Sequence, residues 1–230
     1  MKYQAVIFDL FGTLVEKYPL EVYRQELREM ADTVNAPQEE FMRWWFDTYN
    51  DRGTGVFQSY EANIEYICEK LDVRAESDGI NRAIEICRSY TKNCLKVKPE
   101  TIDILTDIRA GGYKTGLIND CGVEIARVFN KLELAPLIDT VILSCRVGMQ
   151  KPDPRIYRMA TDIMQVYPEN CLYIGDGDSN ELTGATRAGM KAVLVRNPEE
   201  DRDNVYREQF EGDTWQGPAI TSLQEVMSLL

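Results

Sequence analysis

Three aspartates stand at the ends of apolar runs: Asp9 after Ala5-Val6-Ile7-Phe8, Asp120 after Leu117-Ile118-Asn119, and Asp176 after Tyr173-Ile174-Gly175. If those runs are parallel strands of one sheet, their carboxyl ends share the edge where such sheets bind ligands. Carboxylates crowded there repel one another and take up protons unless a cation holds them charged. An oxygen-only donor set suggests magnesium, and Lys151 in Gln150-Lys151-Pro152-Asp153 offers a second positive charge. An aspartate is also a nucleophile that needs no deprotonating base at neutral pH. The chain has no histidine, which excludes Ser-His and Cys-His catalysis and leaves acid–base work to carboxylates and lysines. Taken singly, each piece has an ordinary reading, because aspartate commonly caps turns and helices and Lys-Pro is a common surface turn.

Two other chemistries are tested by the segment Gly175-Asp176-Gly177-Asp178-Ser179-Asn180-Glu181. As a calcium loop it puts Glu181 where the glycine belongs and Arg187 where the bidentate glutamate belongs. As a dinucleotide fingerprint it has Asn180 for the third glycine. Both fail, and there is no Walker A motif. Six scattered cysteines without a Cys-x-x-Cys pair read as buried free thiols rather than zinc or redox sites.

The elements that would position these residues alternate regularly. The apolar run 3–8 predicts a buried strand, with Gly12-Thr13 as its turn. From about Tyr18 to Asn93 apolar residues recur three and four apart, predicting about four helices broken by turn residues at Asn50-Asp51-Arg52-Gly53-Thr54-Gly55. Beyond Pro99 the pattern predicts helices over 100–110, 124–132, 154–164 and 180–188, and strands over 113–118, 140–143, 171–174 and 191–195. The acidic stretch 199–203 reads as a solvated loop. Apolar strands each followed by a helix imply a parallel sheet covered on both faces. The expected architecture is α/β: a Rossmann-like doubly wound core, residues 1–16 and 95–230, interrupted by a helical cap, residues 17–94.

With 230 residues, 44% of them hydrophobic, and a net charge of −12, the chain can bury a full core and repels nucleic acid and anionic lipid at long range. No apolar run is long enough to span a membrane, and the first residues lack a secretory apolar core. The expectation is a cytoplasmic protein with a small-molecule partner.

In order along the chain, Asp9-Leu10-Phe11-Gly12-Thr13, Leu117-Ile118-Asn119-Asp120, Lys151-Pro152-Asp153 and Gly175-Asp176 with Glu181 resemble the four motifs of the haloacid dehalogenase-like superfamily, and the insert resembles its C1-type cap. The resemblance implies a hydrolase with Asp9 as nucleophile within a first motif running to Thr13. It implies magnesium held by Asp9, the Phe11 carbonyl and Asp176, with Glu181 close by. It also implies Lys151 pairing with Asp9 and substrate, and Asn119 binding substrate oxygens. Asp120, Gly12 and the cap residue Arg52 join the candidate site, with Trp44, Trp45 and Tyr49 as further candidates for substrate contact. Two departures stand out. Asn119-Asp120 replaces the usual Ser/Thr start of the second motif, and Phe11 replaces the aspartate that serves family phosphatases as general acid and base. The leading expectation is a Mg2+-dependent phosphatase working through an aspartyl-phosphate on a small phosphorylated metabolite, with a preference for good leaving groups because Phe11 cannot donate a proton. The alternatives are a 2-haloacid dehalogenase, which Phe11 suits; a phosphonatase-like enzyme, for which Lys17 is the nearest candidate lysine; and a weakly active binder of phosphorylated ligands.

Overall fold

The computed structural model describes residues 2–196 and 215–230. Its centre is a parallel sheet of six strands: β1 (Ala5–Phe8), β2 (Lys114–Asn119), β3 (Thr140–Leu143), β4 (Cys171–Gly175), β5 (Lys191–Val195) and β6 (Ala219–Ile220), in the order β3-β2-β1-β4-β5-β6. The pleat sends alternate side chains to opposite faces. Val6 and Phe8 join one apolar cluster and Ala5 and Ile7 another. Both faces are thus buried, and these strands read as continuous apolar runs.

The strand order reverses at β1, which has β2 on one flank and β4 on the other. Phe8 is in register with Leu117 and Ile174, so the residues that follow on the three strands emerge at one level. This is the crevice in which open α/β sheets bind ligands. Helices α6 (Thr101–Ala110), α7 (Val123–Val128), α8 (Ser144–Val147), α9 (Pro154–Met164) and α10 (Glu181–Arg187) connect the strands. Asp153 caps α9 by accepting from the Arg155 N–H, and Pro154 starts the helix, where a missing N–H costs nothing.

Between β1 and α6 the chain forms five helices, α1 (Leu20–Thr33), α2 (Gln38–Asp47), α3 (Tyr49–Gly53), α4 (Tyr60–Lys70) and α5 (Ser77–Asn93). They share an apolar cluster that includes Leu27, Phe41, Trp45, Ile64 and Ile67. The expectation of four helices and a turn at 50–55 is corrected here. Most of that stretch is α3, closed by the Arg52 N–H on Thr48 O at 3.0 Å and ended by Gly55 at φ +77°. The predicted helix 124–132 stops at Val128 and continues as a 3₁₀ turn, Phe129–Lys131. Strand β6 and the 3₁₀ segment Leu223–Leu229 were not anticipated, although Ser222 and Glu225 form a capping box that is legible as S-x-x-E. The acidic stretch 199–203 lies outside the described residues. All six cysteines are free and buried, as expected. Among the described residues no helix is long and apolar enough to cross a membrane.

Candidate active site

The loop after β1 is wound around one carbonyl. Leu10 O accepts from the N–H groups of Thr13, Leu14 and Val15 at 3.3, 2.9 and 3.0 Å. Gly12 sits at φ +74°, and a Cβ there would lie 2.5 Å from Asp176 Oδ2. Glycine is therefore required both for its left-handed backbone and for space. The buried Lys98 Nζ donates to Gly12 O at 3.0 Å, fixing the loop from below.

Asp9 emerges from this loop beside the cation expected for it. Lys151 Nζ lies 2.5 Å from Asp9 Oδ1 and 2.6 Å from Glu181 Oε2. The backbone N–H of Lys151 donates to Asp120 Oδ1 at 3.1 Å. Glu181 is fully buried, and it accepts from Tyr173 OH at 2.8 Å and from the Gly177 N–H at 3.0 Å. A side chain at Gly175 would collide with it at 2.1 Å, which explains the glycine before Asp176. Asp176 pairs with Lys17 Nζ at 2.7 Å. Ligand oxygens of Asp9, Asp176 and Glu181 all lie within 4.8 Å of one another.

Burial raises the pKa of Asp9 to about 6, against the pull of Lys151 and with the push of Asp176. Burial likewise raises Glu181 to about 8, opposed by Lys151. Lys151 is held well above its ordinary value because Asp9 and Glu181 outweigh its own burial. When all three are ionised, the carboxylates of Asp9, Asp176 and Glu181 outnumber the ammoniums of Lys17 and Lys151, and an added cation would relieve that imbalance.

Above this floor is a cavity of about 200 Å³ between the sheet edge and the inserted helices. Asp9, Asn119, Asp120, Lys151 and Asp176 form its polar end, Phe11 also lines it, and Tyr18, Tyr23, Trp45, Phe46, Tyr60 and Tyr90 form an aromatic roof. Gly12, Thr13 and Glu181 do not contribute to the wall; Thr13 and Glu181 are fully buried. Asn119 Nδ2, Asp120 Oδ2 and Thr13 Oγ1 are buried without a hydrogen-bond partner among the described residues. Arg52 lines the roof, where its Nη1 donates to Trp45 O, Thr48 Oγ1 and Asn63 Oδ1 at 2.6, 2.8 and 2.9 Å. Its guanidinium stacks 4.4 Å from the Trp45 ring. Trp45 and Tyr49 also line the cavity, but Trp44 does not; it packs against Tyr66. Within 50–55, Arg52 and Gly53 reach the wall, whereas Asn50 and Asp51 are exposed. Sequence reasoning missed Lys98, Tyr173, Asp178, Ser179 and most of the aromatic roof. Asp178 and Ser179 are brought to the site by their place two and three residues after Asp176, whereas the alignment of Lys98, Tyr173 and the aromatics depends on tertiary packing that no local spacing signals.

A sequence model of the haloacid dehalogenase-like hydrolases matches residues 3–189. The chain belongs to this family. Among relatives of this hydrolase, the glyceraldehyde 3-phosphate phosphatase of Methanothermobacter thermautotrophicus is 34% identical over 211 residues, covering 89% of this chain and 91% of the relative. The (S)-2-haloacid dehalogenase 1 of a Pseudomonas species is 22% identical over 236 residues, covering 99% and 96%. Among solved structures, a HAD phosphatase from Thermococcus onnurineus superposes with a TM-score of 0.66 at 24% identity, covering 98% of this chain and 97% of that one.

Proposed function

We propose that this hydrolase is a magnesium-dependent phosphatase of a small phosphorylated metabolite, acting in the cytoplasm, with Asp9 as the residue that takes the phosphoryl group. The observation that carries the reading is the buried set of Asp9, Asp176 and Glu181, with oxygens within 4.8 Å. Carbon–halogen displacement has no use for such a set, and phosphoryl transfer does.

The donor set is all oxygen and suits magnesium. Asp9, Asp176 and the Phe11 carbonyl would hold the ion. Both Glu181 oxygens already accept from protein donors, so Glu181 would act from outside the direct ligands. When bound, magnesium supplies charge neutralisation on the transferring phosphoryl group.

The chain's own residues do the remainder. Lys151 holds Asp9 at 2.5 Å and brings positive charge to the phosphoryl oxygens. Asn119 Nδ2, a buried donor lacking a partner among the described residues, can donate to one of those oxygens. Asp9 attacks phosphorus, the ester oxygen departs, and water then releases phosphate from Asp9. The aromatic roof excludes bulk water and sets which leaving groups fit. The phosphatase relative at 34% identity supports a small phosphorylated substrate, and the net charge of −12 speaks against nucleic acid.

Phe11 and the dehalogenase relative at 22% identity favour one competing reading, metal-independent dehalogenation. A panel of phosphate esters and 2-haloacids, each assayed with magnesium and with chelator, separates them. Phosphate release that needs magnesium is expected. Halide release unaffected by chelator would overturn the proposal.

A further inference from the structure

An alkyl phosphate does not part from phosphorus readily unless its oxygen receives a proton as the bond breaks. Residue 11, two places beyond the nucleophile, is phenylalanine and has no proton to give. Burial pushes Tyr18, Tyr23, Tyr49 and Tyr60 of the cavity above their ordinary value, which makes them poor proton donors. Lys151 is committed to Asp9 and Glu181, and Lys17 to Asp176.

We propose that Asp120 is the general acid of the first step and the general base of the second. The proposal rests on the phosphatase reading and adds a catalytic residue to it. Asp120 follows β2, the strand beside β1, and lines the same cavity as Asp9. Lys151 bridges the two: its backbone N–H binds Asp120 Oδ1 at 3.1 Å and its ammonium binds Asp9 Oδ1 at 2.5 Å, so one residue sets the spacing of acid and nucleophile. The other Asp120 oxygen is buried and makes no hydrogen bond of normal geometry among the described residues, although the Ser179 side chain is near enough to act on the carboxyl. An ionised oxygen left so is costly, whereas a protonated one is a donor waiting for an acceptor.

The surroundings shift Asp120 toward its protonated form. Burial raises the Asp120 pKa, opposed by the Lys151 ammonium, the Lys151 N–H and the Ser179 side chain. Its other titratable neighbours are Tyr49 from the inserted helices, Cys121 on its own loop and Tyr157 on α9. All three carry raised pKa values, so none adds a charge near neutral pH.

As the Asp9–phosphorus bond forms and the phosphorus–ester oxygen bond breaks, the Asp120 proton passes to the departing oxygen, which leaves as an alcohol. Asp120, now a carboxylate, takes a proton from the water that attacks phosphorus. The Asp9–phosphorus bond breaks, inorganic phosphate leaves, and both aspartates return to their starting states. With Asp120 as the acid, alkyl phosphates should be hydrolysed at ordinary rates, in place of the good-leaving-group preference expected from Phe11.

The test is Asp120→Asn, which keeps the side-chain shape and an acceptor for the Lys151 N–H but has no proton to transfer. With magnesium present, rapid mixing compares glycerol phosphate with 4-nitrophenyl phosphate. The variant should lose about 100- to 10,000-fold on the alkyl ester. On the aryl ester it should still release a burst of nitrophenolate equal to the enzyme, then stall with the phosphoryl group retained on Asp9, seen by mass spectrometry. Equal loss on both esters without a burst, or undiminished alkyl hydrolysis, would overturn the assignment. If the unmodified protein releases phosphate from neither ester and carries no phosphoryl group, the phosphatase reading itself falls, and Asp120's role with it. Asp120→Ser carries the same comparison should the asparagine variant fail to fold.

Discussion

Replacing Lys151 by methionine keeps the aliphatic stem and removes the charge that Asp9 and Glu181 share at 2.5 and 2.6 Å. The lysine side chain is 4% exposed, so solvent cannot take its place. Removing one partner of a buried ion pair typically costs about 3–5 kcal/mol. At about 2–4 °C per kcal/mol for a chain of this size, the melting temperature should fall by about 6–20 °C without metal. The loss depends on pH with a definite sign. Burial places Asp9 at about 6 and Glu181 at about 8, above their ordinary 3.8 and 4.5. Groups raised in this way contribute stability that is complete below the ordinary values and lost as pH rises through the raised ones. Without Lys151 both values climb further, so the deficit should be small near roughly pH 5, where both carboxyls are protonated, and should widen toward roughly pH 8. Thermal and urea melts of the two proteins across that range measure it. Magnesium should recover part of the deficit at the higher pH. A deficit equal at both ends of the range and indifferent to magnesium would refute the charge argument.

Magnesium at about 100 times its dissociation constant should add about 2.7 kcal/mol to the unmodified protein, and Asp176→Ala should abolish the rise in a thermal melt; an undiminished rise would move the metal elsewhere. Gly12→Ala forces a Cβ to 2.5 Å from Asp176 Oδ2 at φ +74°, so it should cost about 1–2 kcal/mol from the left-handed backbone alone and weaken the magnesium shift, read in the same melts. Arg52→Ala breaks three Nη1 hydrogen bonds and the stack on Trp45; it should destabilise by about 1.5–3 kcal/mol in urea unfolding, and Arg52→Lys should recover little, because an ammonium lacks the planar fork.

The sheet was legible because its strands carry buried apolar runs closed by a polar residue, as in Ala5–Phe8 before Asp9, Leu117-Ile118 before Asn119-Asp120, and Cys171–Gly175 before Asp176. The floor of the site was legible for the same reason: Asp9, Asp120 and Asp176 are the first charged residues beyond adjacent parallel strands. What escaped is what distant packing makes. Tyr173 faces Glu181 because the β4 pleat turns it toward α10, and within its strand it reads as one more apolar position. The short helix α3 escaped because its turn-forming residues are held helical by the ties of Arg52 to Thr48, Trp45 and Asn63, the last of them eleven residues away. β6 escaped because two residues, Ala219 and Ile220, are too few for a pattern.

The central claim is that Asp9 accepts the phosphoryl group. The direct measurement is acid-quenched reaction with a hydrolysed phosphate ester and magnesium, followed by peptide mapping. The account predicts one hydroxylamine-labile phosphoryl group on the peptide that contains Asp9, absent from Asp9→Asn, which also releases no phosphate. Steady phosphate release with that peptide never modified, or substantial turnover by Asp9→Asn, would contradict it.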